Sequence, residues 1–509
     1  MNVIHLLFLA LLFVAHGFSA NATEREITTS KGTLVGVIEG DLVSFKGIPY
    51  AAPPVGELRW RAPQPVASWN EKRAADDYGP ICPQQRPTRL PEDEDCLTLN
   101  VWAPAETRAE KLLPVMVWIH GGSHVNGSGR MDGSTFARDG VVMVAINYRL
   151  GRFGVFGHPE LTAARAGGEP TANFAILDQI AALKWVQREI RAFGGDPGRV
   201  TIFGVSAGGS YVNLLMASPL AEGLFHGAIA QSGANGLSRS RDLKALEAFG
   251  QRFEERQEVK GLAGLRALPW RSLVEQGASY RIESDAVIDG VVLTNSVPDT
   301  FAAGRQQNVP YMAGANSFEG SLAVTIPIPA YLRIMNENID EVTRRYGLAA
   351  NDPALYLQFY GDILFVAPTR HLVRQMRTVA SPAWLYHFDY VLASVDPLVP
   401  GARHAGEVPF VFDRLQPLSI NAAAGQRFGM PAGEYPVSDR DHEVARMMHG
   451  YWVQFAKTGS PNRVDQPVWP AYDKESDVAL VISNDGLGAA SNVRRAQLDL
   501  IEDGYNNPQ

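Results

Sequence analysis

Residues 201–210, TIFGVSAGGS, run an apolar segment into a serine set among glycines. A serine hydroxyl is a weak nucleophile until a base takes its proton and an acid orients that base. Ser206 therefore acquires meaning only from its neighbours. Gly204-Val205-Ser206-Ala207-Gly208 has the G-x-S-x-G form, but a chain with 48 glycines can produce that by chance, so its setting decides. The residues before it read as a strand and 210–217, SYVNLLMA, as a helix. That is the strand–turn–helix in which a serine is held exposed in a strained turn. A side chain at Gly204 or Gly208 would crowd the turn, and the following helix aims its N-terminal amides at a developing oxyanion. The chemistry predicted is nucleophilic attack on a carbonyl.

Such a turn carries the chain order serine, acid, histidine, which filters the eleven histidines. His5 and His16 lie in an N-terminal leader, His120, His124 and His158 precede Ser206, and His226 precedes every candidate acid. Of the five that remain, His387 alternates within a strand, and His371, His442 and His449 fall in helical patterns. His404 sits in VPGARHAGEVPF, a proline- and glycine-rich loop after a strand, where a base can reach across a cleft. The acid must lie between. Glu319, just beyond the apolar run 309–315, is preferred over Asp289, Asp299 and Asp362, which read as turn or surface residues. Oxyanion donors need backbone N–H groups near the nucleophile. WIHGGSHVNGSG (118–129) is a strand ending in His-Gly-Gly-Ser, with small residues that admit a carbonyl oxygen; the competing reading is a plain glycine-rich turn.

These residues need a scaffold, and the patterning describes one. Runs 114–120 and 141–148 are continuously apolar, as strands buried on both faces of a sheet are. Residues 172–193 place Phe174, Leu177, Ile180, Leu183 and Ile190 at helical spacing, GGDPG ends that helix, and RVTIF is the next strand. Further strands are predicted at 226–233, 309–315, 383–390 and 477–483, a late helix at 441–457, and mainly helices through 240–380. Alternating strands and helices imply an α/β fold around a mainly parallel sheet. No proline- or serine-rich linker divides the chain, so residues 23–509 are expected to form a single catalytic domain.

A net charge of −8 and the lack of a basic stripe argue against a nucleic-acid partner. The short basic clusters, Arg370–Arg377 and Arg494–Arg495, read as solvated helix faces. At the N-terminus an apolar run (6–15) is followed by Ala20-Asn21-Ala22, the A-x-A form of a cleavage site. No Lys or Arg precedes that run, yet residues 1–22 read best as a secretory leader, so a secreted or periplasmic protein is expected. No later run is long enough for a membrane span. Cys82 and Cys96 are the only cysteines; in an exported chain they are a disulfide candidate, two buried thiols being the alternative. His442-Glu443 lacks the second histidine of a zinc-protease motif, and there is no phosphate-binding loop. Neither a metal nor an organic cofactor is expected. The Asn126-Gly127-Ser128 sequon reads as chance, because a glycan there would obstruct the site.

Several stretches resemble the type-B carboxylesterases, the family that includes the cholinesterases, within the α/β-hydrolase fold. They are FKGIPYAAPPVGELRWRAP, EDCLTLNVWAP, FGGDPGRVTIFGVSAGG, QSG and FAKTGSPN, spread from about residue 45 to 472. The resemblance implies helical insertions forming a cap over the site, and a triad of Ser206, Glu319 and His404, with Glu407 and Phe412 in the family's setting for the histidine. It also implies oxyanion donors at Gly122, Ser123 and Ala207 beside Gly121, support for the acid from Ser232, and a Cys82–Cys96 disulfide. Two departures stand out. Val205 occupies a position usually held by Glu, and the loop between the cysteines lacks the aromatic ring on which cholinesterases hold a cation. The expected partner is a small neutral or anionic ester rather than a choline ester. A catalytically silent binding or adhesion module is the competing class, and such members typically lose a triad residue.

Overall fold

The computed structural model describes residues 23–106, 111–165, 168–238, 240–274, 285–322, 332, 338–396, 398–421 and 431–506. The expected leader, 1–22, lies outside the described residues. Twelve strands follow one path through a mixed sheet: β1 (Thr23–Thr29), β2 (Gly32–Glu39), β3 (Leu42–Pro49), β4 (Thr98–Pro104), β5 (Leu113–Ile119), β6 (Val142–Ile146), β7 (Gly195–Val205), β8 (Gly227–Gln231), β9 (Tyr311–Asn316), β10 (Ala383–Asp389), β11 (Val478–Ser483) and β12 (Gly486–Ser491). Their order is β1-β2-β3-β4-β6-β5-β7-β8-β9-β10-β11-β12, with a short strand, Arg73–Ala74, beside β2. From β6 to β11 all neighbours are parallel. The margins, β1 to β4 and β12, are antiparallel.

Why the central strands read as unbroken apolar runs is visible in how they divide. Val115, Val117, Ile119, Val144, Ile146 and Ile202 enter one core. Their alternates Met116, Trp118, Met143, Ala145, Phe203 and Val205 enter a second on the opposite face, as the two-residue period of a strand requires. The helices Phe174–Glu189 and Ala207–Ala217 supply the first core with Leu183, Val212 and Leu215. The helix Asp439–Thr458 supplies the second with Met448, Trp452 and Phe455; it starts on a reciprocal Ser438–Asp441 capping box and stops at the left-handed Gly459. Helices are inserted after β8 (Leu243–Arg256, Gly261–Ala267) and after β9 (Ile339–Tyr346, Pro353–Gly361, Ala367–Gln375). A third apolar cluster joins the β9–β10 insertions to the C-terminal helix Arg495–Asn506 through Leu355, Phe359, Leu498 and Ile501.

Two surface expectations are overturned in part: Arg377 and Arg495 are exposed, but the other arginines of the two basic clusters are not. Arg370 is 2% exposed and bonds to Asp477, Asp499 and Glu502; Arg374 reaches Glu502. Arg494 pairs with Asp362, itself fully buried. These cations are charge partners for carboxylates more than 100 residues away in the chain, which local periodicity cannot reveal. Cys82 and Cys96 are disulfide-bonded, with Cα atoms 5.1 Å apart.

Candidate active site

All the candidate residues leave the carboxyl ends of parallel strands, the edge where open α/β sheets place their sites. β5 ends at Ile119 and delivers the glycine loop, β7 delivers Ser206, β8 Ser232, β9 Glu319 and β10, after a longer loop, His404.

Ser206 adopts φ 59° and ψ −124° between β7 and the helix Ala207–Ala217, a conformation that costs a non-glycine residue about 1–3 kcal/mol. Its amide donates to the Gln231 carbonyl at 2.8 Å, and its own carbonyl accepts from Ser210 N–H at 2.8 Å, so the turn is held from both sides. The flanking glycines are required by close approach: a Cβ on Gly204 or Gly208 would collide with the Ile119 carbonyl. A Cβ on Gly121 would lie 3.1 Å from that of Ser206 and 2.6 Å from the Val205 carbonyl. The loop and the nucleophile are thus in backbone contact. Gly122 has φ 118° and Ser123 and His124 also have positive φ. This winds the loop so that the Gly122 carbonyl accepts from Val125 and Asn126. The amides of Gly122, Ser123 and Ala207 make no hydrogen bond among the described residues. Tyr148 stacks on His120 with centroids 4.3 Å apart and donates its hydroxyl to the His120 carbonyl, which fixes the loop's root. Asn126 is buried, and its side-chain oxygen accepts from the Arg86 amide, a role that accords with reading its sequon as chance.

Glu319 is 1% exposed. One carboxylate oxygen, Oε1, accepts from Ser232 Oγ at 2.5 Å and from the Asn316 amide at 2.8 Å. The other, Oε2, is bonded to His404 Nδ1. The loops that carry them are knitted together: Phe318 N–H donates to the Ala402 carbonyl, His404 N–H to Ser321 Oγ, and Asn316 Nδ2 to the Arg403 carbonyl. Burial pulls the His404 pKa down, but the Glu319 charge, the hydrogen bond to it and the charge of Glu407 outweigh burial, so it stands above its ordinary value. His404 Nε2 is buried and has no hydrogen-bond partner among the described residues; Ser206 and His404 are not hydrogen-bonded to one another. Catalytic hydrogen bonds often tighten only once substrate is bound.

The rival residues are accounted for. Asp289 accepts from the amides of Val291, Val292 and Leu293, and Asp299 from the hydroxyl of Ser296; both organise local turns. Asp362 is no surface residue. His371 is buried beside Glu502, His387 lies in β10, His442 is exposed and His449 bonds to the Val411 carbonyl.

A second buried carboxylate is visible in the sequence only as part of the histidine motif. Glu407 accepts from Gln231 Nε2 at 2.9 Å and Asn316 Nδ2 at 2.6 Å. Burial raises its pKa, the Asn316 bond opposes this, and the nearby Glu319 charge adds to it. Gln231 also accepts from Trp452 Nε1. Asn316 and Gln231 stand at strand ends; Gln231 opens the family-like QSG stretch, which does not reveal its bond to Glu407, and nothing in the surroundings of Asn316 singles it out.

This geometry can be compared with known proteins. The model of the carboxylesterase family matches residues 23–346 and 333–501. The chain belongs to the carboxylesterase family. As a carboxylesterase it is a hydrolase of carboxylic esters. It is 34% identical over 504 residues to the fumonisin B1 esterase of Sphingopyxis macrogoltabida, covering 91% of this chain and 88% of that one. To the para-nitrobenzyl esterase of Bacillus subtilis (strain 168) it is 33% identical over 489 residues, covering 91% and 96%. Among solved structures, a thermophilic PNB esterase superposes with a TM-score of 0.80 at 30% identity, covering 94% of this chain and all of that one. The carboxylesterase of Geobacillus stearothermophilus superposes with a TM-score of 0.77 at 30% identity, covering 93% and 99%. No described helix of this carboxylesterase is long and apolar enough to cross a membrane.

Proposed function

We propose that this carboxylesterase works through an acyl-enzyme on Ser206. His404 Nε2 takes the serine proton as Oγ attacks the ester carbonyl and returns it to the leaving alcohol. Glu319 fixes the imidazole with its proton on Nδ1 and stabilises the imidazolium. The amides of Gly122, Ser123 and Ala207 hold the tetrahedral oxyanion, and water then releases the acid. The observation that carries this reading is the Glu319–His404 bond on Nδ1, which leaves a buried Nε2 with no hydrogen-bond partner among the described residues, while Ser206 is held in a strained turn. The competing binding-module reading has no such use for that arrangement.

The substrate class proposed is a small neutral or anionic ester. Val205 contributes no charge beside the nucleophile, and residues 83–95, between the disulfide cysteines, contain no aromatic ring for a quaternary ammonium. The disulfide together with the leader-like N-terminus supports an exported protein. Ser206→Ala should abolish both p-nitrophenyl ester turnover and labelling by a fluorophosphonate probe; retention of either overturns the assignment. A matched panel of neutral, hemisuccinate and choline esters tests the substrate class, and a higher kcat/KM for the choline ester would refute it.

A further inference from the structure

Asp362 competes with Glu319 for the role of acid in the sequence, and the fold gives it a different position with its own consequence. The helices Pro353–Gly361 and Ala367–Gln375 are joined by a single π turn, Asp362–Val366. Such turns are rare and concentrate at functional sites. Here the turn lies against both members of the acid–base pair. A Cβ on Gly361 would stand 2.8 Å from the Gly320 nitrogen and 3.0 Å from Glu319 Cβ, and one on Gly320 would strike the Leu357 carbonyl. The acid's loop and the helix therefore meet backbone to backbone. Four residues on, the Phe365 ring lies 4.6 Å from the His404 ring and is 7% exposed.

Between these two contacts sits Asp362, wholly buried. Its Oδ2 accepts from Tyr346 Oη at 2.7 Å and from Arg494 Nη2 at 2.6 Å. Tyr346 ends the helix Ile339–Tyr346, and Arg494 precedes the C-terminal helix with a strained φ of 55°. A buried ion pair is a poor source of net stability compared with apolar packing. Its use here is directional: it ties the π turn to two separate helices at the point where that turn touches Glu319 and His404.

We propose that Asp362, held by Arg494 and Tyr346, is a positioning residue that fixes the π turn and thereby the relative placement of Glu319 and His404. This rests on the reading of those two residues as the acid and base. The step it serves is unchanged; Asp362 touches no reacting atom.

The test compares Asp362→Asn, Arg494→Met and Arg494→Lys with Arg374→Met. The last is a control that breaks a different ion pair on the next helix. For each variant kcat is expressed per fluorophosphonate-titrated site, KM is measured with p-nitrophenyl butyrate, and Tm is recorded. Misplacement of a catalytic group by about 1 Å costs on the order of 100-fold. Asp362→Asn and Arg494→Met should therefore lose roughly ten- to a hundredfold in kcat, with KM within about twofold. Arg494→Lys should restore most of the rate. Arg374→Met should lower Tm and leave kcat per site unchanged. Should Asp362→Asn fail to fold, the Arg494 pair carries the comparison. Unchanged kcat per site in Asp362→Asn or Arg494→Met, or an equal loss in Arg374→Met, overturns the proposal. An unchanged kcat in Glu319→Gln would instead remove the acid–base reading beneath it.

Discussion

Replacing Glu319 with Gln isolates what the acid contributes, because the surrounding donors dictate how the amide must sit. Oε1 accepts from the Asn316 amide and from Ser232 Oγ, while Oε2 faces His404 Nδ1. In Glu319→Gln the side-chain oxygen has to remain at the Oε1 position. Turned the other way, the NH₂ group would confront the Asn316 N–H, and that buried clash would cost about 1–3 kcal/mol. The NH₂ therefore points at Nδ1 and forces it to be the acceptor. The imidazole proton then moves to Nε2, the atom that has to receive the proton of Ser206. The variant loses the working tautomer and the charge that stabilises the imidazolium together. An Asp-to-Asn change in the corresponding position of a serine protease costs about 10⁴ in kcat, so a loss of ~10³–10⁴, or about 4–5 kcal/mol, is expected. The pH profile supplies a second reading. Glu319 is the largest of the influences raising the His404 pKa against burial. His120 and His387, whose burial outweighs any opposing influence, are lowered to about 4. The residual activity of Glu319→Gln should accordingly persist to lower pH, its acid limb moving below ~6.5, the ordinary value for histidine. Initial rates of p-nitrophenyl acetate hydrolysis between pH 4 and 9 measure both quantities. A loss under about tenfold in kcat, or an acid limb that stays in place, would refute the reasoning.

Arg370→Met leaves Asp477, Asp499 and Glu502 without their shared cation in a largely buried setting. Removing one partner of a buried pair costs about 3–5 kcal/mol, to be read in urea melts; a change below about 1 kcal/mol would mean that the network is dispensable. Cys82→Ser/Cys96→Ser opens a short loop whose closure entropy is worth about 3 kcal/mol. Its Tm should match that of the reduced wild type, and a gap between the two would point to effects beyond the cross-link.

The parallel body of the fold is legible because strands buried on both faces announce themselves as unbroken apolar runs, and Val115–Ile119 and Val142–Ile146 are buried along their whole length. The antiparallel β1–β3 meander does not stand out in the same way: β1 is mostly exposed and β2 only half-buried, so neither carries a strong apolar signal. At the site, the order serine–acid–histidine leads to Glu319 and His404, which the structure joins. Asp362 and Arg370 mislead for one physical reason. A buried charge looks like a surface charge until its partner is known, and the partners Arg494, Asp477 and Glu502 enter from distant parts of the chain. Asn316 carries no local signal either, and the QSG stretch marks Gln231 without showing its role; the importance of both comes from the carboxylate they share.

That shared carboxylate bears on the valine before the nucleophile. Val205 and Gln231 are register partners on adjacent parallel strands, so their side chains share a face, and Gln231 donates to Glu407. Val205 is 6% exposed in an apolar cluster with Trp118, Phe203 and Phe412. A Glu at this position would enter a buried, apolar setting beside Gln231, the residue that donates to Glu407, and two like carboxylates in such a setting cannot both ionise freely. The folded-state pKa of the new group should therefore lie above its unfolded value of ~4.3. The sign follows directly: a carboxyl that binds its proton more tightly when folded makes stability fall as pH rises between the two values. Val205→Glu should be tolerated near pH 4 and become progressively destabilising towards pH 8, by about 1.4 kcal/mol for each tenfold tightening of proton binding in the folded state. In the active enzyme any negative charge gained there should favour cationic over anionic esters. Denaturant melts of variant and wild type at pH 4.5 and 8, with the ester panel at pH 8, measure both effects. An identical stability penalty at the two pH values would show that the carboxylate escapes to solvent, and would remove Val205 as a reason for the substrate's charge.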